Sequence, residues 1–127
     1  PLVAATPDKT SFISRYVFPD GELEPLSVMA GALEEAGFEV RDVESLREHY
    51  ARTLRAWVAN LEANWAEAAR LTSVGRARVW QLYMAGSALA FEGGSIGINQ
   101  ILAVKRDEKG FSGMPATRMG LFRGGSL

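Results

Sequence analysis

Ala36-Gly37-Phe38-Glu39-Val40-Arg41-Asp42-Val43 is the stretch on which the fold turns. Phe38 to Val43 alternates apolar and charged residues, the period of a strand buried on one face. Before it, Leu26, Met29, Ala30 and Leu33 follow helical spacing, with Pro25 at their head and Gly37 just past their end. Proline suits the first position of a helix and glycine its C-terminal cap, so the spacing predicts a helix over 25–36 closed by Gly37. Helix, glycine and short strand in succession are the pattern of an α/β protein in which helices return the chain to a sheet.

Downstream, Ser45-x-x-Glu48 has the form of a capping box opening a long helix. Its apolar stripe of Leu46, Tyr50, Leu54, Trp57, Leu61 and Trp65 is read as core. Thr72 to Gly75 interrupts the pattern. A further helix is predicted over 76–91, with Val79, Leu82, Tyr83 and Leu89 inward and Gly86, Ser87 and Ala88 small enough for close packing. Gly93-Gly94 ends it, and Ile96 to Val104 reads as a second strand. Upstream, a short helix over 10–18 places Phe12, Ile13, Tyr16 and Val17 on one side, and Pro19-Asp20-Gly21 turns the chain. Residues 1–9 read as a linker or incoming loop, 10–106 as one body, and 107–127, with five glycines, as a flexible tail. Two strands alone make a marginal ribbon, so partners are expected either from another chain or from residues absent here. A start at Pro1 without Met fits ordinary processing and equally a piece of a longer protein.

Hydrophobic residues make up 47% and charged residues 23%, with a formal net charge of −1, which gives no basic footprint for nucleic acid. The loose set Arg70, Arg76 and Arg78 is read as a solvated helix face. Without cysteine there is no disulfide, thiol nucleophile or thiolate metal site, as suits a reducing compartment. The strongly apolar run Met84 to Phe91 falls well short of the roughly 20 residues of a bilayer span. A single histidine, His49, rules out multi-histidine metal sites and two-histidine relays within the chain. Gly93-Gly94-Ser95-Ile96-Gly97 precedes a strand, whereas a nucleotide or methyl-donor loop follows one. The acidic residues between 20 and 48 read as solvated faces.

The chemistry-bearing cluster is His49-Tyr50-Ala51-Arg52-Thr53-Leu54, which sets an imidazole, a phenol, a guanidinium and a hydroxyl on one helical turn. Tyr50 lies on the apolar stripe, so its ring should be buried while its hydroxyl needs a partner. That partner is either a backbone carbonyl in a structural role or a ligand in a polar active-site pocket. His49 stays open between the same two readings.

Four segments in order resemble the C-terminal third of the cyclopropane-fatty-acyl-phospholipid synthases, including the mycolic acid cyclopropane synthases. They are Phe12-Ile13-Ser14-Arg15-Tyr16-Val17-Phe18-Pro19-Asp20-Gly21, then Ala36-Gly37-Phe38-Glu39-Val40, then Ser45-Leu46 with His49-Tyr50-Ala51-Arg52-Thr53-Leu54 and Trp57, and finally Leu82-Tyr83-Met84-Ala85-Gly86-Ser87-Ala88 with Phe91. The resemblance implies the C-terminal part of a class I, Rossmann-like methyltransferase, with the last two strands of its sheet and about four helices. It implies methyl transfer from S-adenosylmethionine, held by an upstream half of the same protein, to the double bond of an unsaturated phospholipid acyl chain. The resulting carbocation loses a proton to bound bicarbonate and closes a cyclopropane ring.

On the same footing Tyr50 matches the tyrosine whose hydroxyl helps hold the bicarbonate, and Phe18 and Tyr83 match aromatics of the acyl channel, a wall that Phe91 continues. A cytoplasmic enzyme that meets the membrane surface transiently is implied. Exposed strand edges add the expectation of a homodimer for the chain by itself. The family reads Phe-Pro-Gly-Gly where this chain has Phe18-Pro19-Asp20-Gly21-Glu22-Leu23-Glu24-Pro25, and the added carboxylates bear on head-group preference. Two other outcomes share the pattern: a methyl-branched or methylene fatty acid synthase, and a truncated, non-enzymatic lipid-binding module.

Overall fold

The computed structural model describes residues 11–18 and 21–123; the linker over 1–9, the Pro19-Asp20 part of the turn and residues 124–127 lie outside it. The described elements are α1 (Phe12–Tyr16), α2 (Leu26–Glu35), β1 (Glu39–Ser45), α3 (Arg47–Ala63), α4 (Trp65–Leu71), α5 (Val74–Gly93), β2 (Asn99–Val104) and α6 (Met119–Phe122). The described residues form two compact units, each drawn from two stretches of chain: one from those up to Leu26 with 44–100, the other from 27–43 with those from Ile101 to Arg123.

β1 and β2 pair as a two-stranded sheet. The Leu46 N–H, just past the end of β1, donates to the Ile98 carbonyl, just before β2, at 2.9 Å. The end of one strand therefore meets the start of the other, and the ribbon is antiparallel. The same hydrogen bond explains why the Ser45 capping box does not form. Ser45 is still strand, Leu46 is the N-cap of α3 without a side-chain cap bond, and Glu48 pairs with Arg47 at 3.2 Å instead.

Gly37 closes α2 as anticipated. Its φ is +97°, its N–H donates to Glu34 O, and the Phe38 N–H reaches back to Leu33 O, the bonding of a Schellman cap. Gly94 closes α5 at φ +79° with a different pattern, its own N–H and that of Ser95 both donating to Ala90 O. At the other end of α5, Ser73 Oγ accepts from the Arg76 N–H at 3.0 Å, so the helix starts at Val74.

The first unit is built on α3 packed against α5. Ala51 and Leu54 from α3 meet Ala88 and Phe91 from α5, all buried, with Tyr50, Met84 and Ile96 against them. Ala51 and Ala88 have the small side chains that let two helix backbones approach, which leaves Leu54 to fill the gap. Two arginines of α3 then hold the C-terminal end of α5. Arg47 donates to the Phe91 and Glu92 carbonyls at 2.6 and 3.0 Å, and Arg55 makes two bonds to the Glu92 carboxylate at 2.9 and 3.0 Å. Those carbonyls belong to the last turn of α5, where no intrahelical donor remains.

Several expectations about this core are corrected. The long helix breaks at Asn64 into α3 and α4, where the Asn64 side chain donates to the Asn60 carbonyl at 2.8 Å. Trp57 is 45% exposed and so is no core residue. On α5, Leu82 and Leu89 point outward, 59% and 62% exposed, and Gly86 faces open space. Residues two apart on a helix lie about 200° apart around it, so a face holding Met84, Ala88 and Phe91 sends Leu82, Gly86 and Leu89 the other way.

In the second unit, the segment expected as a flexible tail carries, through Arg123, a hydrogen-bonded turn and a short helix. Asp107 Oδ1 accepts from the Lys109 and Phe111 N–H groups at 2.9 and 2.8 Å, and the Asp107 N–H donates to Phe111 O. Arg118 pairs with Asp42 of β1. These residues frame a cleft of about 200 Å³ lined by Arg41, Asp42, Met114, Pro115, Thr117 and Arg118. No helix among the described residues is long and apolar enough to cross a membrane.

Candidate functional site

The turn 49–54 lies within α3, and the helix sorts its polar side chains. His49 and Arg52 are exposed, while the Thr53 hydroxyl donates to the His49 carbonyl at 3.2 Å and is thereby held by its own helix. Tyr50 alone of the four turns toward α5. Its ring meets Phe91 edge-on at 4.9 Å between centroids and Trp57 at 5.8 Å, with interplanar angles of 74° and 84°. Edge-to-face packing of this kind fixes a ring's orientation as well as burying it. The Tyr50 hydroxyl makes no hydrogen bond with any described residue.

Phe91, expected on the channel wall, is 7% exposed and is the floor under Tyr50, packed into the α3–α5 core. Arg47 and Arg55 brace that floor from the α3 side, since both hold the backbone or side chain at 91–92. The Arg55 hydrogen bond, helped by its charge, holds the Glu92 carboxyl below the usual glutamate range, and Glu92 in turn raises Arg55.

Phe18 and Tyr83 come together as a second group. Their centroids lie 5.6 Å apart at 84°, and Trp80 closes the set at 6.4 Å from Phe18 and 5.5 Å from Tyr83. Phe18 is placed by α1: Ser11 caps that helix through the Ser14 N–H, the Phe18 N–H donates to Ile13 O, and Arg76 reaches the Tyr16 carbonyl. The Gly21 N–H donates to Phe18 O, and a side chain at Gly21 would press on Phe18 at 3.0 Å. Phe18 stays 46% exposed, so its ring meets solvent as well as its neighbours. Sequence reasoning passed over Trp80. Its signal was present, three residues before Tyr83 and thus on the same helix face. Among the described residues no ring of one group stacks on a ring of the other, so Tyr50 with Phe91 and Phe18 with Tyr83 are two separate aromatic sites.

The model of the mycolic acid cyclopropane synthetase family matches residues 3–101. A probable fatty acid methyltransferase of Pseudomonas putida is 52% identical over 88% of this chain and 28% of its own length. A probable fatty acid methyltransferase of Mycobacterium tuberculosis is 41% identical over 82% of this chain and 24% of its own. Among solved structures, the mycolic acid cyclopropane synthase CmaA1 complexed with SAH and CTAB superposes with a TM-score of 0.70 at 36% identity, covering 72% of this chain and 32% of that one. The chain thus spans about a quarter of the length of the curated relatives it matches.

Proposed function

The chain belongs to the mycolic acid cyclopropane synthetase family, and from that premise we propose that it is the lipid-facing part of an S-adenosylmethionine-dependent methyltransferase. Its fold is α/β, the last two strands and adjoining helices of the class I methyltransferase architecture. The proposed substrate is the double bond of an unsaturated phospholipid acyl chain met at a membrane surface, and the proposed product a cyclopropane ring. The supporting observation is the phenol of Tyr50, its ring oriented by Phe91 and Trp57 and its hydroxyl free of described partners, in a chain of this family.

S-adenosylmethionine supplies the methyl group when bound, but the described residues do not form its cradle. β1 runs through Leu46 directly into α3, and β2 continues into Lys105-Arg106-Asp107, so neither strand is followed by a glycine loop. The donor site is assigned to residues outside this chain. Within it, Tyr50 would give one hydrogen bond to bicarbonate, the remaining ligands coming from elsewhere. Phe18, Tyr83 and Trp80 would border the acyl chain and keep water from it. Phe91 is assigned to holding the Tyr50 ring and not to lipid contact, because its own ring is buried. A second reading, a methyl-branched or methylene product, is favoured by the description of the Pseudomonas putida relative as a fatty acid methyltransferase.

The test is a chimera in which this chain replaces the matching segment of that relative. Methyl incorporation from labelled S-adenosylmethionine into unsaturated phospholipid is expected, with Tyr50→Phe lowering kcat about tenfold or more while KM and Tm barely move. Equal turnover by Tyr50→Phe would sink the hydroxyl's role. Carbon spectra of the product separate ring from branch.

A further inference from the structure

We propose that residues 105–123 form a docking surface for an anionic lipid bilayer, with Met119 and Phe122 as the apolar contact and Lys105, Lys109 and Arg123 as the electrostatic one. Residues 105–127 hold five Lys and Arg against two acidic residues, net +3, whereas the 104 residues before them hold nine against thirteen, net −4. The net basic excess therefore lies at this end of an otherwise acidic chain. The segment also lies beyond residue 101, where the family match stops.

The local geometry turns its apolar residues outward. A Cβ at Gly120 would sit 2.5 Å from Pro115, so α6 lies flat on that proline through its glycine, and Leu121 lines the cleft beside it. Met119 and Phe122, three apart on the one turn, are left 54% and 72% exposed. Phe111 is 68% exposed at the end of the Asp107 turn, whose bonds to the Lys109 and Phe111 N–H groups hold it in a defined backbone. Arg118 and Arg106 are engaged with Asp42 and Glu39, so the cations assigned to lipid are Lys105, Lys109 and Arg123, which form no ion pair among the described residues. Exposed aromatic and thioether groups interleaved with lysine and arginine are the chemistry of the bilayer interface. There apolar burial and head-group attraction add, and neither alone anchors firmly.

The inference rests on the proposed lipid substrate only in giving the protein a reason to meet a bilayer. Its test needs no cofactor, so its failure leaves the methyl-transfer reading standing. The purified chain is sedimented with vesicles of phosphatidylcholine, with and without phosphatidylglycerol, at low and high salt. Binding to the phosphatidylglycerol vesicles, released by salt, is expected. Met119→Ser/Phe122→Ser should weaken it about tenfold or more, and Lys105→Gln/Lys109→Gln/Arg123→Gln should abolish the preference for the anionic lipid. These positions are exposed, and unchanged circular dichroism verifies that the variants fold. The proposal is overturned if the chain ignores both vesicle types or if both variants bind like the parent. It is equally overturned if Met119→Ser/Phe122→Ser alters only self-association, which would make the occupant another protein.

Discussion

Leu54 is 1% exposed and sits where α3 crosses α5, with Ala51 and Ala88 too small to close the space it would leave. Leu54→Ala should therefore destabilise the first unit by about 2–5 kcal/mol, the transfer loss plus an unfilled cavity. Trp57 is the larger side chain, yet nearly half of it already meets water, and among described rings it pairs edge-on with Tyr50. Trp57→Ala should cost only about 1–2 kcal/mol. Urea denaturation of the two variants measures the order directly; a Trp57→Ala loss equal to or above that of Leu54→Ala would place Trp57 in a core it does not occupy here. Tyr50→Phe removes a hydroxyl with no described partner and should leave the midpoint almost unchanged. That is what permits its effect on turnover to be read as chemistry.

At the scale of elements, the sequence was most legible where a cap or a breaker marks an end. Gly37, Gly94 and the Thr72–Gly75 interruption fall at real boundaries because a left-handed residue or an N-cap serine is required there whatever the tertiary surroundings. Ser45 misled because the β1–β2 ladder claims the next residue's N–H, a non-local bond that a local motif cannot register. The break at Asn64 was invisible because Leu61 and Trp65 keep helical spacing across it. Which face of α5 is buried was likewise undecided, since apolar residues occur on both.

The α3–α5 pairing gives a pH prediction. Arg55 depresses the Glu92 pKa, so the pair's contribution is fully present above the ordinary glutamate range and is lost as pH falls through the depressed value. Melting temperature should hold steady from neutral pH to that range and then decline, with part of the decline absent in Glu92→Gln. An identical acid profile for Glu92→Gln would show the pair to be inert. Both partners are exposed, so the difference should be small and shrink further in salt.

The molecule as a whole leaves much apolar surface in water, and its distribution decides what the isolated chain should do. Within the first unit Leu82 and Leu89 form an outward stripe on α5, and within the second Leu102 of β2 is 38% exposed. Among the described residues the two-stranded ribbon also has an unpaired edge on each strand. The tail was read as flexible because its cations and aromatics are spread over some twenty residues with glycines between them, and a search for charge runs or helical periods passes over such a pattern. Apolar stripes and open edges are both self-complementary, since any copy offers the same groups, and a net charge of only −1 opposes association weakly. The isolated chain should accordingly self-associate, its weight-average mass by light scattering rising with concentration. Leu82→Lys/Leu89→Lys should reverse part of that rise by charging the stripe while leaving the strand edges intact. If the double variant associates as strongly as the parent, the edges and not the helix face carry the contact. A mass that stays monomeric at high concentration would mean that neither surface is sticky in water.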